Sequence, residues 1–254
     1  MCFLVDTMLQ KTAKELLYPK NECPSIHLFK LLFYSSSFID RPNRFIAHVK
    51  YGGNIETVHV KNTGRCRELL LPGSEVVLSE PGTDGRKTRF DLLAVRKQSG
   101  LLVNIDSQAP NAVVRDWLMA QEVSHLHPEY PFGQSRLDFR FTLNGADTLM
   151  EVKGCTLERE GIGYFPDAPT ERGVRHLHEL IHAVQEGFRA MLVFVVQMDG
   201  ITEVRPNMET HPAFGEALEA ARGAGVKVLV LPCHIEPDRI VPAPSTPALS
   251  DVMT

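Results

Sequence analysis

The sequence predicts an α/β chain of the α+β type: a small N-terminal β-barrel of OB kind, then a second domain of helices layered on a mixed sheet. Three observations carry this. About five short strands, punctuated by turn signals, fill residues 38–108. A helical pattern then breaks the series at Pro110. Beyond it the order is hairpin, helix, strand, helix, strand, which suits a layered α/β domain.

Residues 1–37 fit neither part and are expected to form a poorly ordered extension. Met1 to Val5 lacks the basic start and long apolar core of a signal peptide. A translation start near Ser37 would place this segment outside the native protein.

From Phe38 the strands are expected at Arg44–Tyr51, Ile55–Lys61, Ser74–Ser79, Thr88–Val95 and Leu101–Ile105. Gly52-Gly53, Pro72-Gly73, Pro81-Gly82 and Asp84-Gly85 supply the turns between them. Five strands in this length suit a small closed barrel. Basic residues collect here, among them Arg41, Arg44, Lys50, Lys61, Arg65, Arg67, Arg86, Lys87, Arg89, Arg96 and Lys97. They form either a nucleic-acid groove or the solubilising surface of a small barrel. Aromatic side chains for base stacking are sparse (Phe45, Tyr51, Phe90). Asn62-Thr63-Gly64-Arg65 is a polar turn that could bind phosphate through backbone N–H groups and a guanidinium, or simply connect two strands.

Pro110 to Gln121 reads as a helix with Asn111 as its cap, and the second domain is expected over residues 109–240. Ser135 to Lys153 follows as a hairpin. Leu137, Phe139 and Phe141 alternate with Arg136, Asp138 and Arg140, and Asn144-Gly145 supplies the positive φ of a tight turn. Glu151 and Lys153, two apart on the return strand, share a face. With Asp138 alongside, two carboxylates and an ammonium meet in one small volume. That set can hold a hard divalent cation by oxygen and activate a water beside it, or be an ordinary solvated face with weak ion pairs.

Thr170 to Gly187 is the clearest helix. Thr170 caps it, Gly187 ends it, and Val174, Leu177, Ile181, Val184 and Phe188 form its apolar stripe. Arg172 and His176 fall on one flank, His178 and His182 on the other. Arg189–Met198 and Val226–Pro232 are apolar enough for buried strands, with a helix over Phe214–Ala224 between them. Residues 241–254, rich in Pro and Ser, are expected to fray.

His178-Glu179-Leu180-Ile181-His182 matches the zincin motif His-Glu-x-x-His. No further ligand follows at the metzincin spacing, and Glu203 lies beyond a buried strand, so two partly exposed histidines on a helix flank are the favoured reading.

The chain carries 43% hydrophobic and 23% charged residues and a formal net charge of −4. An overall negative charge argues against indiscriminate DNA binding unless positive charge is clustered. There is no apolar run of the roughly 20 residues a membrane span needs. The five cysteines, at 2, 23, 66, 155 and 233, form no Cys-x-x-Cys pair, which points to reduced thiols and a cytoplasmic protein.

Several blocks together resemble one family: Arg44-Phe45, Asn62-Thr63-Gly64-Arg65, Pro72-Gly73, Pro110-Asn111, Ser135-Arg-Leu-Asp-Phe139, Glu151-Val-Lys153, Phe165-Pro-Asp-Ala-Pro-Thr-Glu-Arg-Gly173 and His176-Leu177. The sequence is similar, from about Phe38 to about Ile240, to the sugar fermentation stimulation protein A family of prokaryotic DNA-binding proteins. The resemblance implies an OB-like barrel and a second domain similar to the PD-(D/E)xK nucleases. It implies sequence-independent DNA binding, with a link to transcription regulation of sugar use. Carried over by residue, Asp138, Glu151 and Lys153 are the nuclease-like set and Glu129 a further family acid. Asp138 and Glu151 would hold Mg²⁺ or Mn²⁺. Arg44, Asn62, Thr63, Gly64, Arg65, Arg136, Arg172 and His176 are the expected DNA contacts. The first 37 residues have no counterpart, and His211 stands where an acid is common. Two functions follow: a DNA binder, or a Mg²⁺/Mn²⁺-dependent DNA phosphodiesterase.

Overall fold

The computed structural model describes residues 33–62, 64–81 and 85–253. The extension expected before residue 33, Thr63 and the turn residues Gly82 and Asp84 lie outside them.

Six strands build the first part: β1 (Phe33–Asn43), β2 (Ile46–Tyr51), β3 (Asn54–Val60), β4 (Glu75–Ser79), β5 (Phe90–Arg96) and β6 (Leu102–Asn104). They run in the order β3-β2-β1-β4-β5-β6, and a parallel β3–β5 pairing closes the barrel. The five expected strands are present within a residue or two. The sixth, β1, begins at Phe33, inside the stretch expected to be an extension. Tyr34 to Ser37 pair with Leu78 to Glu75 of β4. Ser35, Ser36 and Ser37 offer no apolar alternation, so their strand state comes from backbone pairing rather than side-chain pattern. The barrel interior is filled by Phe38, Ala47, Val49, Val58, Val60, Val76, Leu78, Phe90 and Leu92, all buried. Tyr34, Tyr51 and Phe90 meet edge to face, with centroids 4.9–5.4 Å apart. Two of the three aromatics expected to be available for stacking are thus engaged with one another.

The second part opens with α1 (Ala109–Met119), then β7 (Val123–Phe132), β8 (Ser135–Leu143) and β9 (Ala146–Cys155). Asn144 at φ 51° and Gly145 at φ 76° make the expected tight turn between β8 and β9. The sequence pattern does not reveal the edge strand β7, because Pro128 and Pro131 and a broken alternation hide it. A small three-stranded sheet follows from β10 (Leu157–Arg159), β11 (Ile162–Phe165) and β13 (Val204–Pro206). The remaining elements are α2 (Glu171–Gln185), β12 (Arg189–Val196), α3 (Pro212–Gly223), β14 (Lys227–Glu236), β15 (Arg239–Pro242) and α4 (Leu249–Met253).

The large sheet has the order β15-β14-β12-β9-β8-β7. Its centre, β9-β12-β14, is parallel, and its flanks are antiparallel. Leu149, Leu177, Leu180, Leu192 and Phe194 pack on the α2 side in one cluster with the barrel interior. Val113, Trp117, Phe139, Phe141, Met150 and Val193 pack on the α1 side.

The residues expected to fray do not: β15 pairs with β14, and Leu249 of α4 is fully buried against the α1-side core. The proline-rich composition conceals two apolar anchors, Leu249 and Met253. In α2, Thr170 Oγ1 accepts from the Gly173 N–H at 3.0 Å, as the cap predicts. Its buried face runs through Gly173, His176, Leu177, Leu180 and Ala183, while Val174, Ile181 and Val184 are only partly covered. The helix is rotated from the expected stripe so that His176 points inward.

The two parts share a seam of main-chain pairing. Val103 bridges Met198, and the Asn104 N–H donates to the Gln197 carbonyl at 2.9 Å. The buried Gln197 amide donates to the carbonyls of Asn104 and Asp106 at 3.1 and 3.0 Å. No helix among the described residues is long and apolar enough to cross a membrane.

Candidate functional site

The site forms where β8 leaves β9. Their ladder runs from Leu143↔Ala146 to Phe139↔Met150. β9 continues beside β12 as far as Cys155. At the fork the Asp138 carboxylate stands in for a strand carbonyl. Its Oδ2 accepts the Val152 N–H at 2.7 Å, and its Oδ1 accepts Asn111 Nδ2 at 2.7 Å. Asn111 therefore binds Asp138 from the first turn of α1 and does not cap that helix. The N-cap position is Gln108, whose N–H is taken by Asp106 Oδ1 at 2.9 Å.

Glu151 sits on the central strand and is 2% exposed. Its Oε1 receives Lys153 Nζ at 2.5 Å and hydrogen-bonds His176 Nδ1. Its Oε2 is buried with no hydrogen-bond partner. Lys153 also lies 3.4 Å from His176 Nδ1, and Arg172 Nε donates to His176 Nε2 at 3.2 Å. The shared face expected of Glu151 and Lys153 is realised.

The two carboxyls are driven in opposite directions. Burial, and then the neighbouring Glu151 charge, push Asp138 up to about 6. Burial also pushes Glu151 up, but the His176 hydrogen bond and the Lys153 charge outweigh it and hold Glu151 below the usual range. Neighbouring carboxyls with separated proton affinities are a common arrangement where one group stays ionised and the other exchanges a proton.

The donor set fits a hard divalent cation in one respect. A buried carboxylate oxygen without a donor is costly unless something positive meets it, and Glu151 Oε2 is such an atom. Asp138 and Glu151 are two acids at the fork, and no group of three or more His, Cys, Asp or Glu suited to a metal occurs among the described residues. Any further ligands would be backbone carbonyl, water or phosphate oxygens, which suits Mg²⁺ or Mn²⁺ better than zinc.

The other expected residues are dispersed. Glu129 lies on β7 at φ 52°, exposed, with its carboxylate 3.9 Å from Arg136. Neither reaches the Glu151 cluster. Arg172 is exposed but bound to His176, and His176 is 4% exposed, within the cluster rather than on the surface.

In the barrel, Arg41 organises the Asn62–Arg65 turn. One guanidinium donates to the carbonyls of Gly64 (2.8 Å), Arg65 (2.9 Å), Arg44 (2.7 Å) and Asn62 (2.5 Å). Asn62 Oδ1 accepts the Gly64 N–H at 2.7 Å. Gly64 is required there, because a Cβ would stand 2.7 Å from Asp167 Oδ2 and 2.8 Å from Asn62 Oδ1. The turn is thus braced against the Phe165–Gly173 block of the second part. Arg44, Lys50, Arg65, Arg67 and Lys87 are exposed, and Arg44 lies over the exposed Phe45 ring at 5.9 Å. Arg89, Arg96 and Lys97 instead pair with Glu80, Glu75 and Glu158, and Arg86 pairs with Asp91.

The zincin motif is put to other use. Glu179 Oε1 accepts the Gln134 N–H at 3.0 Å, and its carboxylate fills the space a Cβ at Gly133 would need. It braces the β7–β8 turn, while His178 and His182 remain exposed. Asn111 is the participant that sequence reasoning assigned elsewhere: its only signal, a place at a helix start, suggests a cap.

Comparison with known proteins agrees with this architecture. The family described as "SfsA N-terminal OB domain" matches residues 39–105, and "Sugar fermentation stimulation protein RE domain" matches residues 108–239. A "Sugar fermentation stimulation protein homolog" of Desulfitobacterium hafniense is 51% identical over 206 residues, covering 80% of this chain and 90% of the relative. The homolog of Clostridium beijerinckii is 45% identical over 207 residues, covering 80% and 91%. A solved structure, "The structure of Pyrococcus Furiosus SfsA in complex with Ca2+", aligns with a TM-score of 0.76 at 28% identity, covering 87% of this chain and 96% of that one.

Proposed function

The chain belongs to the sugar fermentation stimulation protein family, and from that premise we propose that it binds DNA without sequence preference and holds Mg²⁺ or Mn²⁺ at Asp138 and Glu151, beside a backbone phosphate. The observation that carries this is the buried, unpartnered Glu151 Oε2, on a carboxylate whose charge acts on that of Asp138. The Val152 carbonyl is the third oxygen we assign. The Pyrococcus furiosus relative, described with Ca²⁺, is consistent, since Ca²⁺, Mg²⁺ and Mn²⁺ share hard oxygen ligands. Such a cation, when bound, would neutralise phosphate charge and acidify a water beside it.

The chain's own residues do the rest. Exposed Arg44, Arg65 and Arg136 supply positive charge for phosphate oxygens despite the net charge of −4. With Asn62 and Gly64, they form the part of the contact that carries no sequence information. A regulatory role in sugar use would follow from such binding.

A second reading, phosphodiester hydrolysis, is favoured by Lys153. Its ammonium, 14% exposed on the side chain, lies beside Glu151 and can donate a hydrogen bond to a water or a phosphate oxygen. There it would orient the attacking water and stabilise charge developing on the phosphoryl group.

Fluorescence anisotropy with duplex and single-stranded DNA, repeated across salt concentrations, tests the first reading. Affinity should fall steadily with salt, and its absence would overturn DNA binding. Plasmid and oligonucleotide cleavage in Mn²⁺ tests the second. Lys153→Ala should reduce the rate at least about a hundredfold, as loss of a group stabilising transition-state charge does. Equal, residual rates in both proteins would leave binding alone.

A further inference from the structure

The sequence places Arg172 and His176 on one flank of α2, as if to touch phosphate. Their hydrogen bonds point elsewhere. A guanidinium only donates, so Arg172 Nε makes His176 Nε2 the acceptor at 3.2 Å. The neutral imidazole then carries its proton on Nδ1 and donates it to Glu151 Oε1. Both ring nitrogens are thereby occupied, and the ring is 4% exposed.

Lys153 donates to the same Oε1, which leaves Oε2 without a donor. A carboxylate clamped through one oxygen presents the other. The two clamps differ in kind. Lys153 is a long, flexible side chain that can swing to a water or a phosphate. His176 is fixed on the buried face of α2, beside Leu177 and Leu180.

We propose that His176 is a positioning residue that aims Glu151 Oε2 at the cation, and that Arg172 acts through His176, not on DNA. This rests on the cation reading above. Residues that hold a metal ligand in place commonly change affinity by about 10–100-fold when lost.

The test is Mn²⁺ titration by calorimetry at one fixed pH, with thermal melts to verify folding. It compares the wild type with His176→Asn, His176→Leu and Arg172→Met. An Asn amide N–H can occupy the place of Nδ1–H, so His176→Asn should bind Mn²⁺ within about threefold of wild type. His176→Leu fills the space without a donor and should bind at least about tenfold more weakly. A role in packing alone would not separate these two variants in that order. Arg172→Met frees the tautomer and should weaken Mn²⁺ binding about threefold or more, while DNA affinity in EDTA stays at the wild-type value.

No Mn²⁺ binding by the wild type removes the cation reading, and this inference with it. Wild-type binding with a folded His176→Leu equal to it overturns the role of His176 alone. Should His176→Leu not fold, Arg172→Met, altered at an exposed position, decides: unchanged Mn²⁺ affinity overturns the proposal. Loss of DNA affinity in EDTA with Mn²⁺ binding intact returns Arg172 to the DNA surface.

Discussion

Asp138 takes two donors, Val152 N–H and Asn111 Nδ2, yet burial still raises its pKa to about 6. A carboxyl whose pKa rises on folding holds its proton more tightly in the folded state. Its contribution to stability is fully present below the unfolded value of 3.8 and lost as pH rises through about 6. The shift is worth on the order of 3 kcal/mol. Asp138→Asn stays neutral, and a flip of the Asn111 amide restores its hydrogen bonds. In EDTA, the stability advantage of Asp138→Asn over wild type should therefore be small at low pH and grow as pH passes through about 6. Urea melts across pH measure this, and a pH-independent difference would refute the assignment.

At the scale of elements, one helix and one fork set the site. α2 delivers His176 because its rotation is fixed at the N-terminus: Thr170 caps Gly173, and a Cβ on Gly173 would stand 2.8 Å from Thr170 Cγ2. His211 adds a brace, accepting the Thr170 N–H at 3.3 Å through Nδ1. Thr170→Ala should cost about 1 kcal/mol in urea unfolding. The β8–β9 hairpin was legible because alternation and Asn-Gly are local signals. Its fork was not, since where a ladder stops depends on what β12 and α1 place alongside. The hidden strand β1 and the edge strand β7 make the same point: both owe their state to partners rather than to pattern.

Across the whole molecule, the barrel and the second part unfold together if their seam is as continuous as the bonds make it. Gln197 is buried and donates to Asn104 and Asp106. Gln197→Leu would take the side-chain donor from the Asn104 carbonyl, while the Asp106 carbonyl keeps only the Ala109 N–H, and should cost about 1–3 kcal/mol. Circular dichroism and tryptophan fluorescence should still report a single transition. Trp117, the only tryptophan, lies in the second part, so two separated transitions would show the seam to be weak.

The sequence by itself determined the barrel-then-layered-sheet plan, the β8–β9 hairpin, the capped helix α2 and the pairing of Glu151 with Lys153, because each is written in residues close together along the chain. Only the tertiary structure decided that Asn111 meets Asp138, that His176 turns inward to Glu151, that Arg41 ties down the Asn62–Arg65 turn and that Leu249 anchors the C-terminal segment. Those contacts join residues far apart in sequence, and each side chain's partner is set by how whole elements pack, which no local pattern records.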